Sequence, residues 1–220
     1  MPSASVRAVC ACASNGRAVG SRMRPSHLAR NVAARVRKPR SSTINTMPAN
    51  GASVTMTWLL ARAPGFARLR EDERAAIADF ALLWPLFEAR ILNTAGSAAS
   101  ICAAVAAWQN KGDFDAATFD PELNYFRHRY VGPHGFTEHF DGLNLRPNDR
   151  APLVRAVLDG HENDPANRVA CVFIIILRFR NNLFHGVKWQ YRLADQHENF
   201  ATANSALMKA LDRYGDLDHG

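Results

Sequence analysis

Residues 164–186 form the most strongly patterned segment of the chain and read DPANRVACVFIIILRFRNNLFHG. The centre of this segment, Val169–Leu177, is apolar on every side, and its β-branched residues favour a strand by propensity alone. The length and the ends favour a helix, because an Asp-Pro start, about 20 residues without a turn signal and a closing glycine are typical of one. We therefore predict a single buried helix at the centre of the fold, from Asp164 to Gly186.

The segments on either side also have the period of helices. Apolar residues spaced by three and four predict a helix over residues 71–92, which Pro85 is expected to kink. No strand pair, hairpin turn or internal repeat is evident, so the sequence predicts an all-α bundle of about five to seven helices. The other helices are predicted over Ala98–Trp108, over Glu122–Tyr130 with Asp120 as N-cap, over Thr137–Leu143, from Asn148 or Asp149 to Leu158, and along the stripe Phe200, Ala203, Leu207, Ala210, Leu211 and Tyr214.

Residues 1–56 differ from the rest of the chain, because they contain no acidic residue and no sustained apolar period. Such a composition buries too little surface to offset the entropy of ordering, so we expect a disordered basic tail before a helical domain over residues 57–220. Three interpretations of the tail stay open. It resembles an organelle transit peptide, it suits a basic arm that contacts nucleic acid, or the start codon is assigned too early and translation begins at Met47 or Met56.

The net charge of +7 suggests nucleic-acid binding, but the charge is unevenly distributed. Residues 1–70 hold 12 of the 27 basic residues and no acid, since the first carboxylate is Glu71. Residues 71–220 hold 15 basic and 20 acidic groups, a net charge of −5. The high isoelectric point therefore belongs to residues 1–70 and says little about what the rest of the chain binds.

The chain contains no run of about 18 apolar residues, so no membrane-spanning helix is predicted. Cys102 and Cys171 lie among apolar residues, where reduced core thiols are expected, and a reducing cytoplasm is the default compartment. Cys10 and Cys12 fall in the tail and, with His27, lack the spacing of a zinc site. We expect no metal or cofactor.

Polar groups emerge abruptly where the central helix ends, at Arg178, Arg180, Asn181 and His185. A guanidinium matches phosphate oxygens and an imidazole moves a proton near neutral pH, so this set fits phosphoryl chemistry. On a straight helix Asn181 and His185 share a face and Arg178 joins them, whereas Arg180 lies about 140° from His185. Arg180 therefore reaches the same site only if the helix ends there or a second chain supplies the partner.

The segment Arg180-Asn181-Asn182-Leu183-Phe184-His185-Gly186 resembles the signature of the HEPN superfamily, in which an Arg followed by a polar residue precedes a His by four to six positions. The family is an α-helical bundle, and the motif follows a long apolar helix, as it does here. Many members are metal-independent endoribonucleases that work as homodimers, with both motifs facing one cleft, in toxin–antitoxin, phage-defence and CRISPR-associated systems. The resemblance covers residues 70–215 loosely and the motif closely. Members paired with a nucleotidyltransferase antitoxin carry a Tyr where this chain has Val187.

The spacing of Arg and His does not identify the motif by itself. Other pairs, such as Arg129 with His134 and Arg155 with His161, meet the same spacing. The context distinguishes Arg180, because an asparagine follows it directly, an apolar helix precedes it and a glycine follows the histidine.

The resemblance implies RNA cleavage by attack of the 2′-OH, an internal nucleophile that needs no metal. Arg180 then stabilises the charged phosphorane, His185 acts as general acid or base, and Asn181 orients the histidine or the phosphate. A homodimer with a composite site is expected, because an acid and a base are both needed on opposite sides of the scissile phosphate. Two alternatives stay open: a non-catalytic HEPN-like module that binds RNA, a nucleotide or a partner protein such as an antitoxin, and a helical interaction protein.

Two further features have both a functional and a structural interpretation. Glu88 follows Trp84 by four residues at the edge of an apolar stripe, where a carboxylate favours a buried cationic partner such as Arg178 or Arg180; surface exposure is the alternative. Residues 125–130 interleave aromatic and basic types, which suits RNA stacking and also suits an amphipathic helix. The motif itself has a structural explanation too, since a histidine at a helix C-terminus favours the macrodipole.

Overall fold

The computed structural model describes residues 53–185 and 196–217. These two ranges contain nine α-helices, and the seven of them that have eight or more residues agree with the predicted number. The predicted all-α bundle is confirmed. The helices are α1 (Val54–Arg62), α2 (Pro64–Ala67), α3 (Glu71–Ile91), α4 (Ala98–Asn110), α5 (Asp120–Tyr130), α6 (Glu138–Asp141), α7 (Ala151–Leu158), α8 (Pro165–Phe184) and α9 (His197–Tyr214).

Helix α8 is the central element of the bundle. Asp164 caps its N-terminus by accepting a hydrogen bond from the backbone N of Asn167 at 3.0 Å, and Pro165 lies in the first turn. Every residue from Val169 to Phe179 is buried. Helices α4, α5, α7 and α9 pack around α8, so the apolar run is covered on all sides. Tertiary packing thus overrides the strand propensity of the isoleucines.

Phe173 of α8 organises the aromatic part of the core. Its ring stacks on Phe87 of α3 with centroids 5.1 Å apart. It meets Trp108 of α4 and Phe119, which precedes α5, edge to face at 6.0 and 5.3 Å. Both geometries are favourable for aromatic pairs. One side chain of the central helix therefore sets the positions of three surrounding elements.

Helices α3 and α9 form the other large contact of the bundle. The rings of Phe80 and Phe200 lie 5.1 Å apart, and Asn204 Nδ2 donates to the backbone O of Ala76 at 3.0 Å. The stripe predicted for α9 is buried, except that Tyr214 is half-buried. Helix α3 continues as one helix through Pro85, which lies on its exposed face.

The region between α4 and α5 differs from the prediction in two ways. The predicted loop contains a 3₁₀ turn over Ala116–Phe119, which Asp115 caps by accepting from the backbone N of Ala117 at 3.0 Å. Helix α5 then begins at Asp120, with Phe119 in the N-cap position that we predicted for Asp120. The Asp-Pro pair therefore lies within the first turn of α5.

A short antiparallel pair follows α5, although no strand was predicted. Val131–Gly132 pairs with Gly135–Phe136, and Gly135 has a φ of 108°. Such a φ strains any residue with a Cβ, so the glycine permits the tight reversal. Two-residue strands leave no alternating pattern for sequence analysis to detect.

The N-terminus of α7 also differs from the prediction. Neither Asn148 nor Asp149 caps it. Instead the Asp149 carboxylate accepts from the backbone N of Arg146 at 2.8 Å and closes a 3₁₀ turn over Pro147–Asp149. Arg150 then adopts a left-handed conformation with φ 52°, and α7 begins at Ala151. This turn directs the Asp149 carboxylate into the protein, where only 10 % of the side chain is exposed.

Helix α1 begins within the segment that we predicted to be disordered. Ser53 Oγ accepts a hydrogen bond from the backbone N of Met56 at 3.1 Å, and Met56 and Leu59 pack partly buried against the core. The predicted boundary at residue 57 therefore falls inside α1, and a chain that starts at Met56 lacks the residue that caps this helix. The remaining part of the predicted tail, residues 1–52, lies outside the described residues.

Among the described helices, none combines the length and the apolar character that crossing a membrane requires. Cys171 is buried and Cys102 is half-buried, and both are free thiols, as predicted. Burial raises the pKa of both thiols, which disfavours the reactive thiolate.

Candidate functional site

The end of α8 is the place where the central helix leaves the apolar core. Leu183 is buried, Arg180 and Asn181 are partly exposed, and Phe184 and His185 are exposed. Arg180, Asn181 and His185 therefore lie at the surface end of the most buried helix. Gly186 and Val187 lie outside the described residues.

Arg178 points away from this surface and is part of the core. Its Nε donates to the backbone O of Leu143 at 3.0 Å, and its Nη1 lies 3.0 Å from Asp149 Oδ2. Only 2 % of the side chain is exposed. Burial lowers the pKa of the guanidinium, and the Asp149 carboxylate opposes that shift. Asn182 lies one turn further along, and its Nδ2 donates to the same backbone O of Leu143 at 3.3 Å. Arg178 and Asn182 thus fix the end of α8 to the loop after α6.

Glu88 is held in a fixed position by two hydrogen bonds. Trp84 Nε1 donates to Glu88 Oε2 at 2.8 Å, and the backbone N of Gly96 donates to Glu88 Oε1 at 2.9 Å. A Cβ on residue 96 would lie 2.3 Å from Glu88 Oε1, so only glycine lets the backbone approach this closely. We call the arrangement of Trp84, Glu88 and Gly96 the carboxylate clamp.

The carboxylate clamp orients Arg180. Arg180 Nη2 lies 3.7 Å from Glu88 Oε2, and Nη1 donates to Asn181 Oδ1 at 3.0 Å. The guanidinium carbon also lies 5.9 Å from the centroid of the exposed Phe184 ring. The side chain keeps 33 % of its surface exposed, and its Nε is buried without a hydrogen-bond partner. Arg180 is therefore positioned from three sides and still open to an anion from solvent.

His185 is the C-cap of α8, with its backbone N donating to the backbone O of Asn181 at 3.0 Å. Among the described residues, none forms a hydrogen bond or ion pair with its exposed imidazole. The structure thus brings together Arg180, Asn181 and Glu88, and places His185 at the surface beyond them, with no hydrogen bond between Arg180 and His185 among the described residues. Its position also fits the structural interpretation, since a protonated histidine at this end is favoured by the helix dipole.

The aromatic and basic run on α5 is used for packing. Phe126 and Tyr130 are buried. Tyr125 Oη donates to Asn199 Oδ1 at 2.9 Å, and Arg127 Nη2 donates to the backbone O of Val157 at 2.9 Å. These contacts support the amphipathic-helix interpretation. In the part of the chain that the structure describes, no group of His, Cys, Asp and Glu has the arrangement of a metal site.

Sequence analysis missed the roles of Trp84 and Gly96. The spacing of four residues between Trp84 and Glu88 was a usable signal, because side chains at this spacing meet on one helix face. No signal marked Gly96, since its contact depends on how the loop after α3 turns back.

Comparisons with family models, with curated proteins and with solved structures found no match to the chain. The functional assignment therefore depends on the motif and on the geometry around it.

The first prediction separates the two arginines by stability. Arg178→Ala leaves the Asp149 carboxylate buried without its cation and should lower the free energy of unfolding by about 3–5 kcal/mol. Arg180→Ala removes a partly exposed ion pair and should cost less than about 1 kcal/mol. Urea unfolding followed by circular dichroism measures both. Equal losses for the two variants would contradict the assignment of Arg178 to the core.

The second prediction concerns the carboxylate clamp. Gly96→Ala forces the Glu88 carboxylate out of place and should lower the free energy of unfolding by about 1–3 kcal/mol. It should also shift the indole N–H signal of Trp84 in a ¹H–¹⁵N spectrum, assigned with Trp84→Phe. Gly65→Ala is the matched control, because a Cβ on residue 65 meets nothing within 4 Å. An unchanged indole signal in Gly96→Ala would show that the clamp does not hold Glu88.

Proposed function

We propose that the chain is a metal-independent endoribonuclease of the HEPN type, which cleaves RNA by 2′-OH attack at a composite site in a homodimer. One observation carries the proposal. The guanidinium of Arg180 is held by its neighbours and partly exposed, and the exposed His185 follows at the end of the same helix. The resemblance also implies a toxin–antitoxin or defence setting, which stays part of the proposal.

The chemistry needs no group beyond side chains. A base takes the proton from the 2′-OH, the oxygen attacks the adjacent phosphorus, and the bond to the 5′-oxygen breaks as an acid protonates that oxygen. The products are a 2′,3′-cyclic phosphate and a 5′-OH. Charge accumulates on the phosphorane oxygens, and a guanidinium fork is suited to stabilise it.

The local contacts support one role for each residue of the motif. Arg180 binds the phosphate, with Glu88 holding its guanidinium so that little reorganisation is needed. Asn181 accepts from Arg180 through Oδ1, which leaves its amide N–H groups to donate to the phosphate. His185, exposed at the C-cap, moves the proton. Arg178 has a supporting role, because it anchors the end of α8.

A single chain supplies one imidazole, whereas the reaction uses an acid and a base on opposite sides of the phosphate. Arg180 and His185 also lie about 140° apart around α8 by the helical period. A two-fold axis near the end of α8 overcomes both difficulties, since each chain then contributes one histidine and one arginine to a shared cleft.

The alternative is a non-catalytic HEPN-like module that binds RNA, a nucleotide or a partner protein. The partly exposed guanidinium of Arg180 can bind an anion without any proton transfer, which favours this alternative. Binding of an antitoxin-like partner at the same surface is one form of this non-catalytic alternative. The two proposals differ in the role of His185. In the first it takes part in cleavage of the RNA, and in the second it affects only the affinity of the protein for RNA.

The third prediction tests cleavage directly. Mixed single-stranded and structured RNAs are incubated with wild type, His185→Ala and His139→Ala in excess chelator, and the product ends are mapped. Wild type and His139→Ala should yield cyclic phosphate and 5′-OH ends, because His139 is an exposed histidine of α6 outside the motif. His185→Ala should cleave about 10²–10⁴-fold more slowly.

Two outcomes would contradict the ribonuclease proposal. Cleavage at the same rate by His185→Ala would assign the activity to another group. Binding without cleavage by wild type, weakened in Arg180→Ala, would favour the non-catalytic module.

A further inference from the structure

The ring of Phe184, the last residue of α8, is exposed beside the guanidinium of Arg180. Phe184 is 55 % exposed, whereas the residue before it, Leu183, is buried. Arg180 precedes Phe184 by four residues, so the two side chains share one face of the helix. The guanidinium carbon of Arg180 lies 5.9 Å from the ring centroid. In the part of the chain that the structure describes, no other aromatic ring stacks on Phe184.

The position of Phe184 distinguishes it from other exposed apolar residues. Single exposed apolar side chains are common on protein surfaces and need no function. Phe184, however, lies next to a guanidinium that is itself partly exposed and held by Glu88. The cation–π contact between the two occupies one face of the ring at most and contributes little at an exposed site. A flat apolar ring and a positioned cation therefore form one small surface that is open to solvent.

We propose that Phe184 stacks on one unpaired base of the RNA strand whose phosphate binds Arg180. A nucleotide presents the two matching chemical parts within a short distance, since it carries a planar base and an anionic phosphate. Proteins that bind single strands combine basic groups along the backbone with aromatic side chains on which bases stack. The inference rests on the proposed function, because it takes RNA as the ligand of Arg180, and it adds a residue that selects the form of the RNA.

The stacking contact makes the site selective for single-stranded RNA. Inside a duplex both faces of each base are covered by the neighbouring bases, so the Phe184 ring has no free base to contact. In a loop, a bulge or a free end the base can turn out of the strand and lie on the ring. Every base has a π-face, so stacking by itself gives little preference for sequence.

An apolar protein surface fits the same place less well. A protein partner that covered the Phe184 ring with apolar side chains would also cover the partly exposed guanidinium of Arg180. Burying a cation against apolar groups is costly unless an anion accompanies it. A nucleotide supplies that anion together with the stacking surface, which favours RNA as the occupant.

The first experiment measures binding of an oligonucleotide that the protein cannot cleave. It has 2′-fluoro sugars, which lack the attacking hydroxyl, and one 2-aminopurine base, whose fluorescence falls when it stacks on an aromatic ring. Wild type should quench this fluorescence. Phe184→Leu keeps an apolar side chain without a π-face, so it should lose the quenching and raise the dissociation constant about 5–150-fold. Phe184→Trp should keep both properties, because the indole also stacks.

The matched control is Trp58→Leu. Trp58 is an aromatic residue of α1 that is 54 % exposed, close to the value for Phe184. Among the described contacts, no cation lies over its ring. This variant should bind the oligonucleotide as wild type does. Circular dichroism shows whether each variant folds, and sedimentation shows whether its mass changes.

The second experiment tests the selectivity for single strands. The same oligonucleotide is annealed to its complement, and its binding to wild type and to Phe184→Leu is compared. The two proteins should bind the duplex with equal affinity, because a paired and stacked base cannot reach residue 184. The dependence on Phe184 should therefore appear only with the single strand.

Four results would overturn the stacking role. They are a wild type that does not quench the fluorescence, an unchanged dissociation constant in Phe184→Leu, an equal loss of affinity for single strand and duplex, and a change in the mass of the protein in Phe184→Leu. The last result would place the ring in a protein interface.

The stacking role and the ribonuclease proposal can fail separately, because the oligonucleotide is bound without being cleaved. Cleavage of natural RNA by Phe184→Leu at the wild-type rate, with unchanged binding, would remove the stacking role and leave the ribonuclease. Quenching that depends on Phe184 in a wild type that cleaves no RNA would keep the stacking role and favour the non-catalytic module.

Discussion

The burial of α8 on all sides constrains everything at its C-terminal end. Its apolar run from Val169 to Leu177 is covered by neighbouring helices, so the polar residues that follow it must find partners or reach solvent. Arg178 is still inside and pairs with the buried Asp149 carboxylate. Arg180 lies at the boundary of the core and forms an ion pair with Glu88, and the His185 side chain is exposed to solvent. The order of these residues along one helix thus becomes an order from core to surface.

Two arginines that are two residues apart thus have different surroundings, because Arg178 is buried and Arg180 is partly exposed. Arg178 and Asn182 bind the loop after α6 and stabilise the end of α8. Arg180 is oriented by a carboxylate whose own position is set by an indole N–H and a backbone N–H. Because Glu88 is fixed by Trp84 of α3 and by Gly96 in the loop before α4, the direction of the guanidinium depends on α3, on this loop and on α8 itself. A group held in this way gains electrostatic strength, since it does not have to reorganise as charge develops.

The sequence predicted the elements better than it predicted the contacts between them. The Asp-Pro start and the length of the apolar run predicted α8 as a helix, and the ion pair of Glu88 with one of the two arginines was anticipated. The helical period favoured Arg178 over Arg180 as the partner of His185. It could not show that Arg178 pairs instead with Asp149, whose carboxylate is directed into the core by a 3₁₀ turn. Gly96 could not be found either, since its role depends on a backbone approach that no local pattern encodes.

The proposal that Arg180 and His185 from two chains face one cleft is tested most directly by mixing inactive variants. Arg180→Ala and His185→Ala chains are each assayed alone and then together on RNA, after conditions that allow subunits to exchange. A shared site predicts that the mixture recovers part of the wild-type activity, because a mixed dimer keeps one arginine and one histidine facing the same phosphate and lacks only the second histidine for the opposite proton transfer. No recovery from a mixture shown to contain mixed dimers, or cleavage by a monomeric wild type at a rate linear in protein concentration, would contradict it.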